Sequence, residues 1–371
     1  MKLFKTYPSK STLNFDRFSP LAALAIGAAA GIVYLYFFPP GPPIFHDLDS
    51  GYYYETARHS IQPAALMYAI RPLIPFLVYV SGLPAPLGFA GLHFASLCLL
   101  TVLVERLGRE LDRPFWVRLA GCVVVCAAAP VWSAFWVRAM IDIPILCLIT
   151  SVMLLVLKNK TMAAVALSAI SSLAHTLGFF ISLGLLFAKS KWRAVLAASL
   201  GLILLGAYLL LFRRVVLGFT PQAAFGFFKQ GTRPFHSIVT QTIYGIGPLL
   251  PAIWFVPRSY RRLLFGASVG LMLGLIAGAW GFRVVGYLCP LFAPGAMPKV
   301  PESKGDFHRV FRCVMLTLHF AATVVLFLLP LGVDFFQPPS KILGFPLFAI
   351  AFVSPCAVRI VEAGSLRHAF K

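Results

Sequence analysis

The chain has 371 residues, 59% of them hydrophobic and only 12% charged, with a formal net charge of +20; its mean hydropathy is +0.85. This composition leaves no polar stretch long enough for a separate soluble domain, and nucleic acid is excluded as the partner of the bases, which lie mostly between apolar stretches and on one side. Several of those stretches approach the roughly 20 residues needed to cross about 30 Å of hydrocarbon, so the chain reads as one polytopic membrane domain over 1–371.

The N-terminal residues MKLFKTYPSKSTLNFDRF are basic. The apolar segment after them is long and lacks a small-residue cleavage site, so it reads as a first membrane helix rather than a removable signal. The implied spans run over 20–37, 84–104, 119–136, 143–157, 162–174, 178–188, 194–212, 236–256, 263–281, 284–297, 313–332 and 342–357. This is an all-α, polytopic fold of about 10–12 transmembrane or half-membrane helices. With the N-terminus in the cytoplasm, the cytoplasmic segments collect 23 of the 32 lysines and arginines, which places both termini on that side. The pair 162–174 and 178–188 is too short for two crossings and reads as a helical hairpin with His175 at its apex. The seven cysteines have no metal-finger spacing and read as small core residues.

Polar residues gather in the outer segments. The first outer loop, 39–83, contains HDLDSGYYYETARHSIQPAALMYAIR, in which three of the chain's twelve carboxylates (Asp47, Asp49, Glu55) accompany His46, His59, Arg71 and the tyrosines Tyr52, Tyr53 and Tyr54. A plain connection between two helices needs none of these. Its last part, 72–82, reads as an interfacial helix. The short turn RAMID brings Arg138 within four residues of Asp142, a spacing that would pair them if the turn were helical. A second outer stretch, 213–236, carries bases including Arg233 and no acid, and its phenylalanines make it amphipathic. Arg283 sits among apolar residues, where an unpaired guanidinium is costly, and calls for a polar cavity, a carboxylate or a bound anion. A lipid phosphate at the membrane surface suits these outward bases. The plainer reading of the tyrosines is an aromatic belt at the membrane boundary, and His93 and His319 read as structural.

An acid followed by tyrosines and an alanine (Asp49 to Ala57) in a long first outer loop, then Arg71–Pro72 before the second helix, then Arg138 with Asp142 in a short outer turn, then Arg283 before a proline-rich run, resembles the GT-C class of integral-membrane glycosyltransferases. The resemblance covers the layout of about residues 20–300. It implies that a sugar passes from a polyprenyl-phosphate donor to a lipid, glycan or protein acceptor on the non-cytoplasmic face, with inversion. An acid of the first outer loop then acts as general base, here Asp49 or Asp47. Arg71, Arg138, Asp142, Arg283, Tyr53, His175 and Arg233 are the implied donor-phosphate or substrate-binding residues. His46, Asp47 and Asp49 could hold a divalent metal, magnesium or manganese, as some members do with an Asp-any-Asp motif. The sequence departs from the consecutive Asp-Glu of protein mannosyltransferases and lacks the large outer domain of oligosaccharyltransferase catalytic subunits. The compact layout and the absence of an evident retrieval signal point to a prokaryotic plasma membrane with the active site on its outer face.

Three other readings fit the same residues. Intramembrane charges and a short hairpin suit a secondary transporter, although the polar groups gather at the outer boundary rather than at the midplane. A non-enzymatic assembly subunit would use the outer loop for partner contacts. A metal-dependent outer-face hydrolase or acyltransferase would draw on HDLD with His59, residues that follow no specific ligand spacing.

Overall fold

The computed structural model describes residues 12–44, 49–59, 71–211, 242–276, 285–296, 306–328 and 341–369. Among them every regular element is helical. The first half of the chain runs through α1 (Thr12–Phe37), α2 (Asp49–His59), α3 (Leu73–Val80), α4 (Ala85–Glu110), α5 (Phe115–Ala127), α6 (Ala129–Val137) and α7 (Asp142–Leu157). It continues through α8 (Thr161–Ala174), α9 (Thr176–Lys189), α10 (Lys191–Leu211), the single turn α11 (Ala252–Phe255), α12 (Arg258–Ile276), a second single turn α13 (Cys289–Phe292), α14 (Asp306–Leu328) and α15 (Lys341–Ala369).

Prolines mark most of the helix starts. Pro72, Pro84 and Pro114 stand at the N-caps of α3, α4 and α5, and Pro130 lies in the first turn of α6. A fixed φ and a missing N–H cost least there; α1 and α15 also carry Pro20, Pro346 and Pro355 inside the helix. Three non-glycine residues in the left-handed region end turns: Asp112 (φ 52°), Arg138 (φ 73°) and Asn159 (φ 57°). Asp and Asn tolerate this region through their short polar side chains; Arg does not.

Four helical stretches are long and apolar enough to cross a membrane: Arg17–Phe37, Ala85–Glu110, Lys191–Tyr208 and Val310–Leu328. A fifth is gained if α5 and α6 count as one span bent by 41°. Large apolar side chains on their outer faces stand exposed, among them Ile32, Leu99, Leu202, Ile203 and Val314. Exposed apolar surface of this extent is what lipid covers, and the chain has the character of an integral membrane protein. The predicted span 119–136 is interrupted where Ala128 adopts an extended conformation ahead of Pro130. The helices α7, α8 and α9 have 16, 14 and 14 residues, or about 21–24 Å at 1.5 Å per residue, less than the hydrocarbon thickness. The hairpin segments α8 and α9 pack on each other and join at His175, whose backbone is extended.

Two predicted spans are not continuous helices. In 284–297, residues 285–296 are all buried and form 3-10 turns (Gly286–Leu288 and Ala293–Gly295) on either side of α13. In 236–256, the described part contains the 3-10 turn Gly247–Leu249 and then α11. Two prolines stand in each break, Pro248 with Pro251 and Pro290 with Pro294, and each removes a backbone donor and crowds the preceding turn. Irregular backbone at membrane depth needs protein around it. Here α4, α5, α6 and α7 surround the 285–296 segment, and the Tyr260 hydroxyl donates to the Leu291 carbonyl at 2.6 Å.

The core is built on α4, which contacts α1, α5 and α7. Trp132 is fully buried, and its indole donates to Phe327 O at 3.1 Å, joining α6 to α14. His319 bonds to Ala351 O between α14 and α15, in keeping with a structural role. Cys98, Cys122, Cys126, Cys147 and Cys289 are buried and free, while Cys313 is exposed and Cys356 half-buried. Near the C-terminal end of α4 lies a buried polar cluster with no counterpart in the sequence reading. Glu105 accepts from Ser19 of α1 and, at 3.1 Å, from Arg109, and Arg118 of α5 approaches it at 3.5 Å. Beyond it, Arg113 donates to Phe255 O at 2.9 Å and Arg359 to Trp254 O at 2.9 Å, so two guanidinia satisfy the last carbonyls of α11. Burial lowers the pKa of the Arg113 guanidinium, and neighbouring Tyr260 and Asp112 oppose that shift.

Candidate functional site

The segment 39–83, predicted from the sequence as the first outer loop, contains a helix rather than an open connection. In α2 the residues Ser50, Tyr53 and Ala57 are buried and recur at three- and four-residue spacing, while Arg58 is exposed. That stripe seats α2 against α3 and α4. Asp49 is the first residue of α2, one turn before Tyr53, at the end where the helix dipole favours an acid. Of the three tyrosines, Tyr53 is 1% exposed and Tyr52 and Tyr54 are half-buried. An aromatic belt alone does not account for Tyr53, whose hydroxyl accepts from Arg71 Nη1 at 2.9 Å. This bond joins the middle of α2 to Arg71, two residues before α3.

A shallow recess opens beside α2, lined by Leu35, Phe38, Gly41, Tyr54, His93 and Arg138 among others. Its walls are apolar and aromatic, with one guanidinium among them. Arg138 reaches it from the end of α6, where its φ of 73° turns the chain out of the helix. Its Nη1 donates to Pro42 O at 2.8 Å. A Cβ on Gly41 would lie 2.6 Å from that same nitrogen, so glycine leaves the path open. The four-residue spacing does not pair Arg138 with Asp142, because the RAMID turn is not helical and the arginine is directed to the first outer loop. His93 fixes the middle of this turn: a carbonyl can only accept, so His93 Nε2–H donates to Met140 O at 2.6 Å.

Asp142 begins α7 and is 1% exposed, beneath the turn and away from the recess surface. The fully buried Tyr287 donates its hydroxyl to Asp142 Oδ1. The ring of Tyr287 meets His175 edge-on at 5.7 Å between centroids and 70° between planes. His175, 5% exposed, caps α9 by accepting the Leu177 N–H on Nδ1 at 3.0 Å. Nδ1 is therefore the acceptor nitrogen, and the neutral ring carries its proton on Nε2. Asp142 and His175, 33 positions apart in the sequence, meet through a tyrosine that the sequence reading did not select. A neutral aromatic inside GYLCPLF has no charge signature to mark it; the neighbouring Gly286 and Pro290 are the cues that this segment is broken.

The structure thus assembles Tyr53 with Arg71, sets Arg138 against the first outer loop, and gathers Asp142, Tyr287 and His175 beneath the same turn. His46, Asp47, Arg233 and Arg283 lie outside the described residues, as does the stretch 213–236. Among the described residues, no group of three or more His, Cys, Asp or Glu side chains is placed to hold a metal ion. No protein-family model matches this chain, and no curated protein matches it in sequence.

Proposed function

We propose that this protein is an integral-membrane glycosyltransferase of GT-C layout that takes a sugar from a polyprenyl-phosphate donor. The observation that carries the reading is the docking of α2: the first outer loop folds as a helix onto the bundle, with Arg71 bonded to Tyr53 and Arg138 set against Pro42 in a recess of aromatic and apolar walls. A guanidinium beside an apolar recess suits a ligand with a phosphate head and a hydrocarbon tail. The tail would remain in lipid.

Asp49, at the start of α2, accepts the proton of an acceptor hydroxyl. The hydroxyl oxygen forms a bond to the anomeric carbon as the bond from that carbon to the phosphate oxygen breaks. The electron pair leaves with polyprenyl phosphate, whose charge Arg71, Arg138 and Arg283 stabilise, and Arg233 adds a further base on the outer side. A single displacement inverts the anomeric centre, and Asp49 returns its proton to water. His46 and Asp47 are the remaining polar candidates beside Asp49, and the steps above assign no task to a metal.

Native mass spectrometry of the purified protein with polyprenyl-phosphate-linked hexoses and pentoses tests this reading. Wild type retains the donor, Arg71→Ala and Arg138→Ala weaken retention about tenfold or more each, the loss expected for a charge-assisted bond, and Asp49→Asn keeps it. Retention of no such lipid by wild type would refute the reading.

One observation favours a transporter as the second reading. The buried segments around α11 and α13 are proline-broken, as are the discontinuous helices of secondary transporters. Movement of a solute across proteoliposomes, coupled to an ion gradient and without loss of sugar from any lipid, would select it.

A further inference from the structure

The turn 138–142 is a strained element under several constraints. Arg138 is a non-glycine residue at φ 73° and ψ −109°, a conformation that persists only where the surroundings over-determine it. Three partners from distant parts of the chain do so: Pro42 O takes the guanidinium, His93 holds Met140 O, and Tyr287 holds the Asp142 carboxylate. Tyr287 is itself fixed. A Cβ on Gly286 would lie 2.7 Å from Pro130, so the Gly286–Leu288 turn presses onto the first turn of α6 as only glycine allows. On the other side of Tyr287 the His175 ring stands edge-on. Three interruptions of regular helix, the 138–142 turn, His175 and Gly286–Leu288, therefore meet at Tyr287.

We infer that Tyr287 is a positioning residue: by holding Asp142 it locks the 138–142 turn, and through that turn it aims the Arg138 guanidinium into the recess. The use of that aim, binding a lipid phosphate, rests on the function proposed above. Tyr287 touches no substrate in this scheme. His175 keeps the tyrosine ring in place, and its own orientation is set by the bond from Leu177 N–H.

The test is Tyr287→Phe, which keeps the ring against His175 and removes only the hydroxyl, read in two ways. Hydrogen–deuterium exchange at 138–142 is expected to speed up about tenfold, as for loss of one bond to a charged group, while exchange across α9 and α12 stays unchanged. Retention of undecaprenyl phosphate in native mass spectrometry is expected to fall about as far as in Arg138→Ala. The double variant should lose no more than Arg138→Ala alone, since both changes remove one interaction. Asp142→Asn keeps an acceptor for the tyrosine and should fall between wild type and Tyr287→Phe. Unchanged exchange at 138–142 in Tyr287→Phe, or additive losses in the double variant, would overturn the inference. If wild type retains no lipid phosphate, the glycosyltransferase reading falls, and exchange at 138–142 then decides the positioning role by itself.

Discussion

Arg138 combines a charged side chain with a backbone conformation that suits glycine, φ 73°. The two contributions separate by mutation. Arg138→Ala and Arg138→Gly both lose the bond to Pro42 O, but only alanine keeps a Cβ in the left-handed region. Arg138→Gly should therefore be more stable than Arg138→Ala by about 1 kcal/mol in thermal or denaturant unfolding in detergent, and equal stabilities would remove the strain from the account. Glu105 presents the opposite case at the other end of α4. It is fully buried, and Arg118 beside it is 4% exposed. Glu105→Ala leaves that guanidinium buried without the carboxylate and should cost about 3–5 kcal/mol, seen as a large fall in melting temperature. A shift within experimental error would contradict the network. Legibility in the sequence follows charge. Arg71, Arg138 and Asp142 stood out because ionised groups at a membrane boundary are costly, whereas Tyr287, Gly41 and Gly286 carry no such mark and are recognised only by what they touch. Glu105 went unread because an acid close to Arg106 and Arg109 in the sequence looks like an ordinary helix end.

Among the described residues, α9 and α12 cross with their backbones in contact. A Cβ on Gly184 would lie 2.0 Å from Gly266 O, one on Gly266 would lie 2.3 Å from Gly184 O, and one on Gly270 would lie 2.1 Å from Phe180 O. Small residues four apart let two backbones approach in a setting where apolar burial gives helices no preference over lipid. Gly266→Val must push the pair apart, with a loss of about 1–3 kcal/mol or more and reduced recovery of folded protein. Gly206→Ala, which meets nothing within 4 Å on the outer face of α10, should be neutral or slightly stabilising. Equal tolerance at both positions, measured as detergent-solubilised monodisperse yield, would contradict this packing. Helix boundaries were largely legible, because proline and apolar length set them: the predicted 84–104, 143–157 and 194–212 correspond to α4, α7 and α10. The breaks in 236–256 and 284–297 were not, since hydropathy measures how apolar a stretch is and does not register the donors that its prolines remove. The helix in the first outer loop was missed for a related reason. Its buried residues, Ser50, Gly51, Tyr53, Thr56 and Ala57, are mostly small or polar and display no apolar period.

Across the molecule, the contacts of His93 and Asp142 and those of Glu105 and Lys158 lie at opposite ends of α4 and α7. On α4, His93 and Glu105 are about 18 Å apart along the axis at 1.5 Å per residue. On α7, Asp142 is the first residue, and Lys158, paired with Glu110 at 3.1 Å, follows the last. The bases read as cytoplasmic, Arg109, Arg113, Arg118, Lys158 and Arg359, all fall at the end of Glu105 and Lys158. Single cysteines at positions 42 and 159, in a background where Cys313 and Cys356 are replaced, should react with a membrane-impermeant maleimide from opposite sides of sealed vesicles. Labelling from the same side would contradict the layout. Transfer of a sugar from a lipid phosphate is read from the fate of radiolabelled polyprenyl-phosphate sugars in proteoliposomes holding the wild type or Asp49→Asn, with membrane extract as the acceptor source. Wild type should move label from the lipid to an acceptor and leave polyprenyl phosphate behind, while Asp49→Asn retains the donor and transfers none. Equal transfer by Asp49→Asn, or no turnover of any such lipid by wild type, would contradict this mechanism.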